Sequence, residues 1–179
     1  MILKKEEAVL VFIDVQGRLS ERVYENETLF TNLLTLLKGT KTLDVPVIVT
    51  EQIPEKIGPT RKEFQEWING PVIAKSRFGC CGEKTFLNTL KNMKRKQVIL
   101  CGIETHVCVY QTAIELLTNG YTVYAVADAV SSRDPANKEL ALRRMENEGV
   151  RLTGTEMLLF ELLGDAKNRA FKSILQIVK

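Results

Sequence analysis

The chain has 179 residues, with 25 Lys and Arg against 22 Asp and Glu and a single His, for a formal charge of +3. That length fits one domain over 1–179, and an apolar share of 45% supports a sizeable core rather than disorder. So mild a charge, without a basic stripe interleaved with aromatics, argues against a nucleic-acid partner. No apolar stretch approaches the roughly 20 residues that span a bilayer, so no membrane partner is expected. The opening MILKKEEAVLVFID does not read as a secretory signal. Cys80, Cys81, Cys101 and Cys108 form neither a disulfide framework nor paired CxxC spacing. A cytoplasmic protein without a structural zinc is the expectation.

The predicted elements alternate along the chain. Ala8–Ile13 is a continuous apolar run, the mark of a strand buried on both faces. Leu29, Leu33, Leu36, Leu37 and Leu43 keep helical spacing behind Asn26, a candidate N-cap. Strand patterns recur at 46–50, 71–74, 97–101 and 121–126, with a short sixth at 150–152. Residues 52–61, with two prolines and a glycine, read as a loop. Helices are expected at 83–94, at 106–119 closed by Asn119-Gly120, and from Asp134-Pro135 to about Asn147, which Gly149 ends. Two more follow at 155–163 and 168–178. Strand–helix alternation of this kind predicts an α/β fold, a parallel sheet between layers of helices.

In open parallel sheets ligands bind beyond the carboxyl ends of the strands. The first strand ends in Asp14, the third in Lys75, and the fourth runs through Gly102 into Glu104, Thr105, His106 and Cys108. A carboxylate, an amine and a thiol therefore share one rim. If Thr105 caps the next helix, Cys108 lies in its first turn, where the helix dipole and Lys75 lower a thiol's pKa. The competing reading makes Cys108 a small packing residue at a helix start, and Asp14 a turn residue capping Gln16-Gly17. His106 sits two positions from Cys108 and so points elsewhere on a helix, which favours a pocket-lining or structural role. Cys101 reads as core. Cys80 and Cys81 read as packing residues near the pocket, and Asp128 as a turn or cap residue.

VFIDVQGRL at 11–19, PVIAKSRFG at 71–79, VILCGIETHVCVYQTAIELLTNGY at 98–121, ADAVSSR at 127–133 and LLFELLGDA at 158–166 resemble the isochorismatase-like cysteine hydrolases. TEQIPEKIGPT at 50–60 is similar to the branch of isochorismatase domain-containing proteins. The resemblance implies a three-layer αβα sandwich, with a six-stranded parallel sheet in the order 3-2-1-4-5-6. It implies a catalytic triad of Asp14, Lys75 and Cys108, a cis peptide between Ile103 and Glu104, and an oxyanion hole from the backbone N–H groups of Glu104 and Cys108. Two departures matter. Nicotinamidases carry an Asp-x-His metal motif after the second strand, where this chain has Glu51-Gln52-Ile53. True isochorismatases lack the nucleophilic cysteine, which this chain keeps. The resemblance therefore implies neither zinc, nor nicotinamide as substrate, nor vinyl-ether hydrolysis.

The expected chemistry is hydrolysis of a C–N bond in a small amide or carbamoyl compound through a Cys108 thioester, without a cofactor. Gln52, Phe78, His106 and Tyr110 are the candidate pocket residues. A catalytically silent binding or scaffold protein is the rival, and a nuclease is disfavoured by the weak charge. Family members are commonly oligomers, so a homo-oligomer is expected. The apolar face Phe171, Ile174, Leu175 and Val178 packs either on its own domain or on a partner.

Overall fold

The computed structural model describes residues 2–179. Six strands, β1 Ala8–Ile13, β2 Val47–Gln52, β3 Val72–Lys75, β4 Gln97–Ile103, β5 Thr122–Ser131 and β6 Arg151–Thr153, pair in parallel in the order β3-β2-β1-β4-β5-β6. The chain moves outward from β1 to β3 and then returns to place β4 on the other side of β1. Residues just beyond β1 and β4 thus flank the point where the strand order reverses, which is where such sheets open a crevice.

The helices are α1 Gly17–Ser20, α2 Asn26–Thr42, α3 Pro54–Ile57, α4 Lys62–Gln65, α5 Lys84–Asn92, α6 Tyr110–Thr118, α7 Pro135–Asn147, α8 Thr155–Leu163 and α9 Phe171–Ile177. Successive strand residues point to opposite faces, and the two cores divide accordingly. Leu10, Phe12, Val49, Ile99 and Val126 face α2, α4, α8 and α9; Val9, Val11, Ile13, Val98, Leu100 and Val123 face α5, α6 and α7. All six β1 residues are fully buried, as a strand covered on both sides requires. Ile174 of α9 packs into the first of these cores, so this face is turned at least in part onto its own chain.

Four local expectations change. Asn26 is not the cap of α2. Glu25 precedes the helix in the left-handed region at φ 50°, and the Asn26 amide donates to Glu21 O. The 52–61 stretch contains the single turn α3, and Gln16 bridges across to Thr60. Strand β5 continues to Ser131 because a bulge opposite Leu100 and Gly102 takes up extra residues. Within it Asp128 accepts hydrogen bonds from Thr155 N and Oγ1, at 2.9 Å each, and so caps α8. Asp134 does cap α7, its carboxylate accepting from Ala136 N at 2.9 Å. The fourth change, at 105–109, belongs to the site.

Gly102 is required where β4 passes the end of β1. Its φ is 113°, and a Cβ there would lie 2.1 Å from Ile13 O. Gly102→Ala is expected to cost at least about 3 kcal/mol through backbone strain and displacement of β1. Urea unfolding checks this, and a loss under 1 kcal/mol would contradict it.

Candidate active site

Asp14 follows β1 directly in the left-handed region, at φ 52°, a conformation Asp tolerates better than most residues. Its Oδ1 accepts from Thr50 Oγ1 at 2.8 Å, and its Oδ2 lies 2.6 Å from Lys75 Nζ. Lys75 ends β3, in register with Gln52 on β2. Its ammonium also donates to Gln52 Oε1 at 2.6 Å and to the carbonyls of Arg77 and Phe78 at 3.1 Å each. Asp14, Lys75 and Cys108 are 6%, 4% and 8% exposed. The sheet thus brings the three expected side chains to one nearly closed rim. Burial works against the charge on Lys75. The facing Asp14, helped by Cys108 and Cys80, outweighs it and raises the lysine pKa.

Thr105 does not cap the helix. Glu104 occupies the position before it, the Ile103–Glu104 peptide is cis, and Thr105–Val109 form a π-helical turn leading into α6. Among the described residues, Thr105 Oγ1 is buried without a hydrogen-bond partner. Glu104 O takes the N–H groups of Val107 and Val109, at 3.1 and 3.2 Å, and not that of Cys108 between them. Wide turns of this type recur at functional sites because they break the regular backbone ladder. The Glu104 side chain is held in place, its Oε1 accepting from Arg133 N and Nε at 3.0 Å each.

The expected lowering of the Cys108 pKa does not hold. Burial pushes this thiol up, the Asp14 charge and a hydrogen bond to it add to the rise, and Lys75 only partly offsets them. The resting pair is therefore a thiol beside a lysine-bound carboxylate, not a preformed thiolate. Cys80 is pushed up to about 12, chiefly by burial against an opposing Lys75. Cys81 rises to about 12 through burial and the Glu115 charge, and Cys101 rises through burial alone.

These raised thiols give the fold a pH dependence of definite sign. The unfolded chain begins to release thiol protons near 9.0, whereas the folded chain holds that of Cys80 to about 12. Between those values the unfolded state binds fewer protons, so stability is complete below pH 9 and falls as pH rises. Cys80 alone is expected to remove about 1.4 kcal/mol per pH unit in that window. Denaturant unfolding between pH 8 and 11 checks this. The slope should shrink in Cys80→Ala, and a flat profile would contradict the assignment.

The rim opens into a cavity of about 160 Å³ lined by Asp14, Gln16, Leu19, Gln52 and Ile57, with Phe78, Ile103, Glu104, Val107 and Cys108. Gln52 and Phe78 therefore line it as expected. His106 and Tyr110 do not. His106 Nδ1 lies 2.9 Å from Ser132 Oγ, tying the π turn to the end of β5, and the Tyr110 ring lies 4.6 Å beneath the Arg144 guanidinium of α7. Cys108 lies two positions from both His106 and Tyr110 and so points to another side of the turn, and of these three only Cys108 lines the cavity. A larger groove of about 260 Å³ beside Tyr24, Asp128 and Lys138 contains no thiol.

Sequence reasoning missed the parts that hold the site in place. Thr50 fixes Asp14, and buried Gln16 clamps the 52–58 segment by accepting from Gln52 N at 2.7 Å and donating to Gly58 O at 2.5 Å. A threonine ending an otherwise apolar strand was the available signal for the first. The second rests on a contact across 42 residues that leaves no local pattern. Nor does the site fit a metal. Glu51 Oε1 is taken by Thr60 N and Oγ1, at 2.6 and 2.8 Å, and Gln52 by Lys75 and Ser76. No group of three His, Cys, Asp or Glu suited to a metal occurs among the described residues.

Residues 8–157 match the isochorismatase domain model. The chain belongs to the isochorismatase family. Its hydrolase fold is seen again in a Caenorhabditis elegans structure described as MAR1 ribonuclease, 33% identical with a TM-score of 0.94, covering 99% of this chain and 92% of that one. YcaC from Pseudomonas aeruginosa, solved with hexane-2,5-diol and covalent acrylamide, is 27% identical with a TM-score of 0.93, covering 98% and 91%. YcaC from Escherichia coli, an octameric hydrolase of unknown specificity, is 25% identical with a TM-score of 0.94, covering 99% and 90%. Among curated relatives, the secreted isochorismatase effector Isc1 of Phytophthora sojae is 37% identical over 177 residues, 96% of this chain and 84% of its own. That isochorismatase-family relative is secreted, so family membership does not carry the cytoplasmic placement. Among the described residues no helix is long and apolar enough to cross a membrane.

Proposed function

We propose that this isochorismatase-family hydrolase, acting as a single domain over 1–179, cleaves the C–N bond of a small amide or carbamoyl compound through a thioester on Cys108. The observation that carries the reading is the buried Asp14–Lys75 ion pair, 2.6 Å long, with Asp14 and the Cys108 thiol lining one small cavity. Because Cys108 rests protonated, its activation needs a base within reach, and Asp14 is that base. As Sγ attacks the carbonyl carbon, the thiol proton passes to Asp14. The backbone N–H groups of Cys108 and Glu104 receive the developing oxyanion, each such donor being worth roughly 3 kcal/mol in comparable sites.

The tetrahedral species collapses with cleavage of the C–N bond, and Asp14 delivers the proton to the departing nitrogen. Asp14 then takes a proton from the water that attacks the thioester carbonyl, and that proton returns to sulfur as the acid product leaves. Lys75 stays charged throughout and steadies whichever of Asp14 and Cys108 is anionic. The covalent acrylamide in Pseudomonas YcaC is compatible with a reactive nucleophile on this fold. The octameric Escherichia coli protein supports a homo-oligomer here, and four free cysteines suit a reducing cytoplasm.

A panel of small amides and carbamoyl compounds, followed by amine release, tests the reading. At least one member should turn over, with the rate unchanged by a chelator and no stoichiometric zinc in elemental analysis. One tightly bound transition metal per chain, with activity lost on chelation, would contradict the metal-free mechanism. The C. elegans neighbour makes RNA the second substrate to assay. RNA cleavage that survives loss of Cys108 would contradict the thioester account.

A further inference from the structure

We infer that the substrate is a small amide whose acyl group is uncharged and aliphatic, of about three to five carbons; this rests on the proposed C–N hydrolase chemistry. The cavity of about 160 Å³ holds the volume of only about five waters, well below the roughly 300 Å³ at which drug-sized pockets begin. Its charges cancel within the protein. Asp14 is paired with Lys75, and Glu104 with Arg133 at 3.0 Å. Its polar side chains are already committed. Gln16 accepts from Gln52 N and donates to Gly58 O, while Gln52 accepts from Lys75 and donates to Ser76 O.

What remains to meet an acyl chain is apolar: Leu19, Ile57, Phe78, Ile103 and Val107. A carboxylate or ammonium on the acyl group would enter this space without a partner, and an unpaired buried charge is heavily disfavoured. Two of the walls, Ile57 and Phe78, are 40% and 53% exposed, so they close the mouth and are open to substitution without disturbing the core.

Matched pairs of amides test this. Isovaleramide and malonamate have the same shape and differ by one negative charge; propanamide and glycinamide differ by one positive charge. Affinities for the Cys108→Ala protein are measured by calorimetry, and kcat/KM values on the unaltered enzyme. The neutral member of each pair should bind on the order of 100-fold more tightly, an effect of the size expected for an unpaired charge in such a site. Phe78→Lys, with Ile57→Lys as the second variant, should narrow the isovaleramide–malonamate gap at least about tenfold by supplying a counter-charge at the mouth.

Malonamate or glycinamide binding as well as its neutral partner would overturn the inference, and so would failure of all four to bind. The hydrolase reading is judged separately. Tight binding of the neutral amides with no turnover by the unaltered enzyme would sink that reading and leave the cavity's preference standing.

Discussion

Cys108→Ala is expected to lower kcat/KM on a confirmed substrate by about 10,000-fold or more, because nucleophile and base act within one step and neither replaces the other. The side chain removed is small and sits at a cavity wall, so stability should change by no more than about 1 kcal/mol. Asp14→Asn should produce a loss of similar order while leaving substrate binding intact, since the amide keeps the shape but cannot take the thiol proton. The double variant should be little worse than either single one. Steady-state kinetics on the three proteins, with thermal unfolding as the control for folding, check this. Near-normal turnover in Cys108→Ala would make attack by an Asp14-activated water the better account.

The ion pair is expected to dominate stability as well as activity. Lys75→Met leaves Asp14 buried at 6% exposure with only the Thr50 hydroxyl and the Cys108 thiol donating to it, and breaking such a pair costs about 3–5 kcal/mol. The double change Asp14→Asn with Lys75→Met removes both charges together. It should recover a substantial part of that loss, because no uncompensated charge remains. Both proteins should be inactive. A double-mutant cycle by urea unfolding measures the coupling, and strictly additive effects would contradict a direct, buried pair.

The fold was legible because its signals are long and repeated. Continuous apolar runs such as Ala8–Ile13 have one stable home, a central parallel strand, and the helical spacing of Leu29 to Leu43 places α2 on one face of it. Asp14, Lys75 and Cys108 were legible because each follows a strand, and strand ends of a parallel sheet meet. The strand order and the cis peptide came through the resemblance to a family, and the structure carries both.

What escaped depends on backbone detail that composition does not encode. The π turn at 105–109 is one such detail, and the partners that hold His106 and Tyr110, Ser132 beyond β5 and Arg144 on α7, lie far along the chain and leave no local pattern. Helix position and Lys75, which favour a thiolate at Cys108, are visible in sequence, whereas the burial that outweighs them is not. The five apolar walls of the cavity look like ordinary core residues until the loop carrying Ile57 is folded back by Gln16.

In the proposed mechanism Cys108 carries the acyl group between bond cleavage and hydrolysis. Rapid-quench intact-mass analysis during turnover, followed by peptide mapping, tests it most directly. One added acyl group per chain is expected, on Cys108 alone, absent from Cys108→Ala and lost as the acid product appears. Turnover at full rate with no acylated protein at any time, or with the acyl group mapped to Cys80, Cys81 or Cys101, would contradict it.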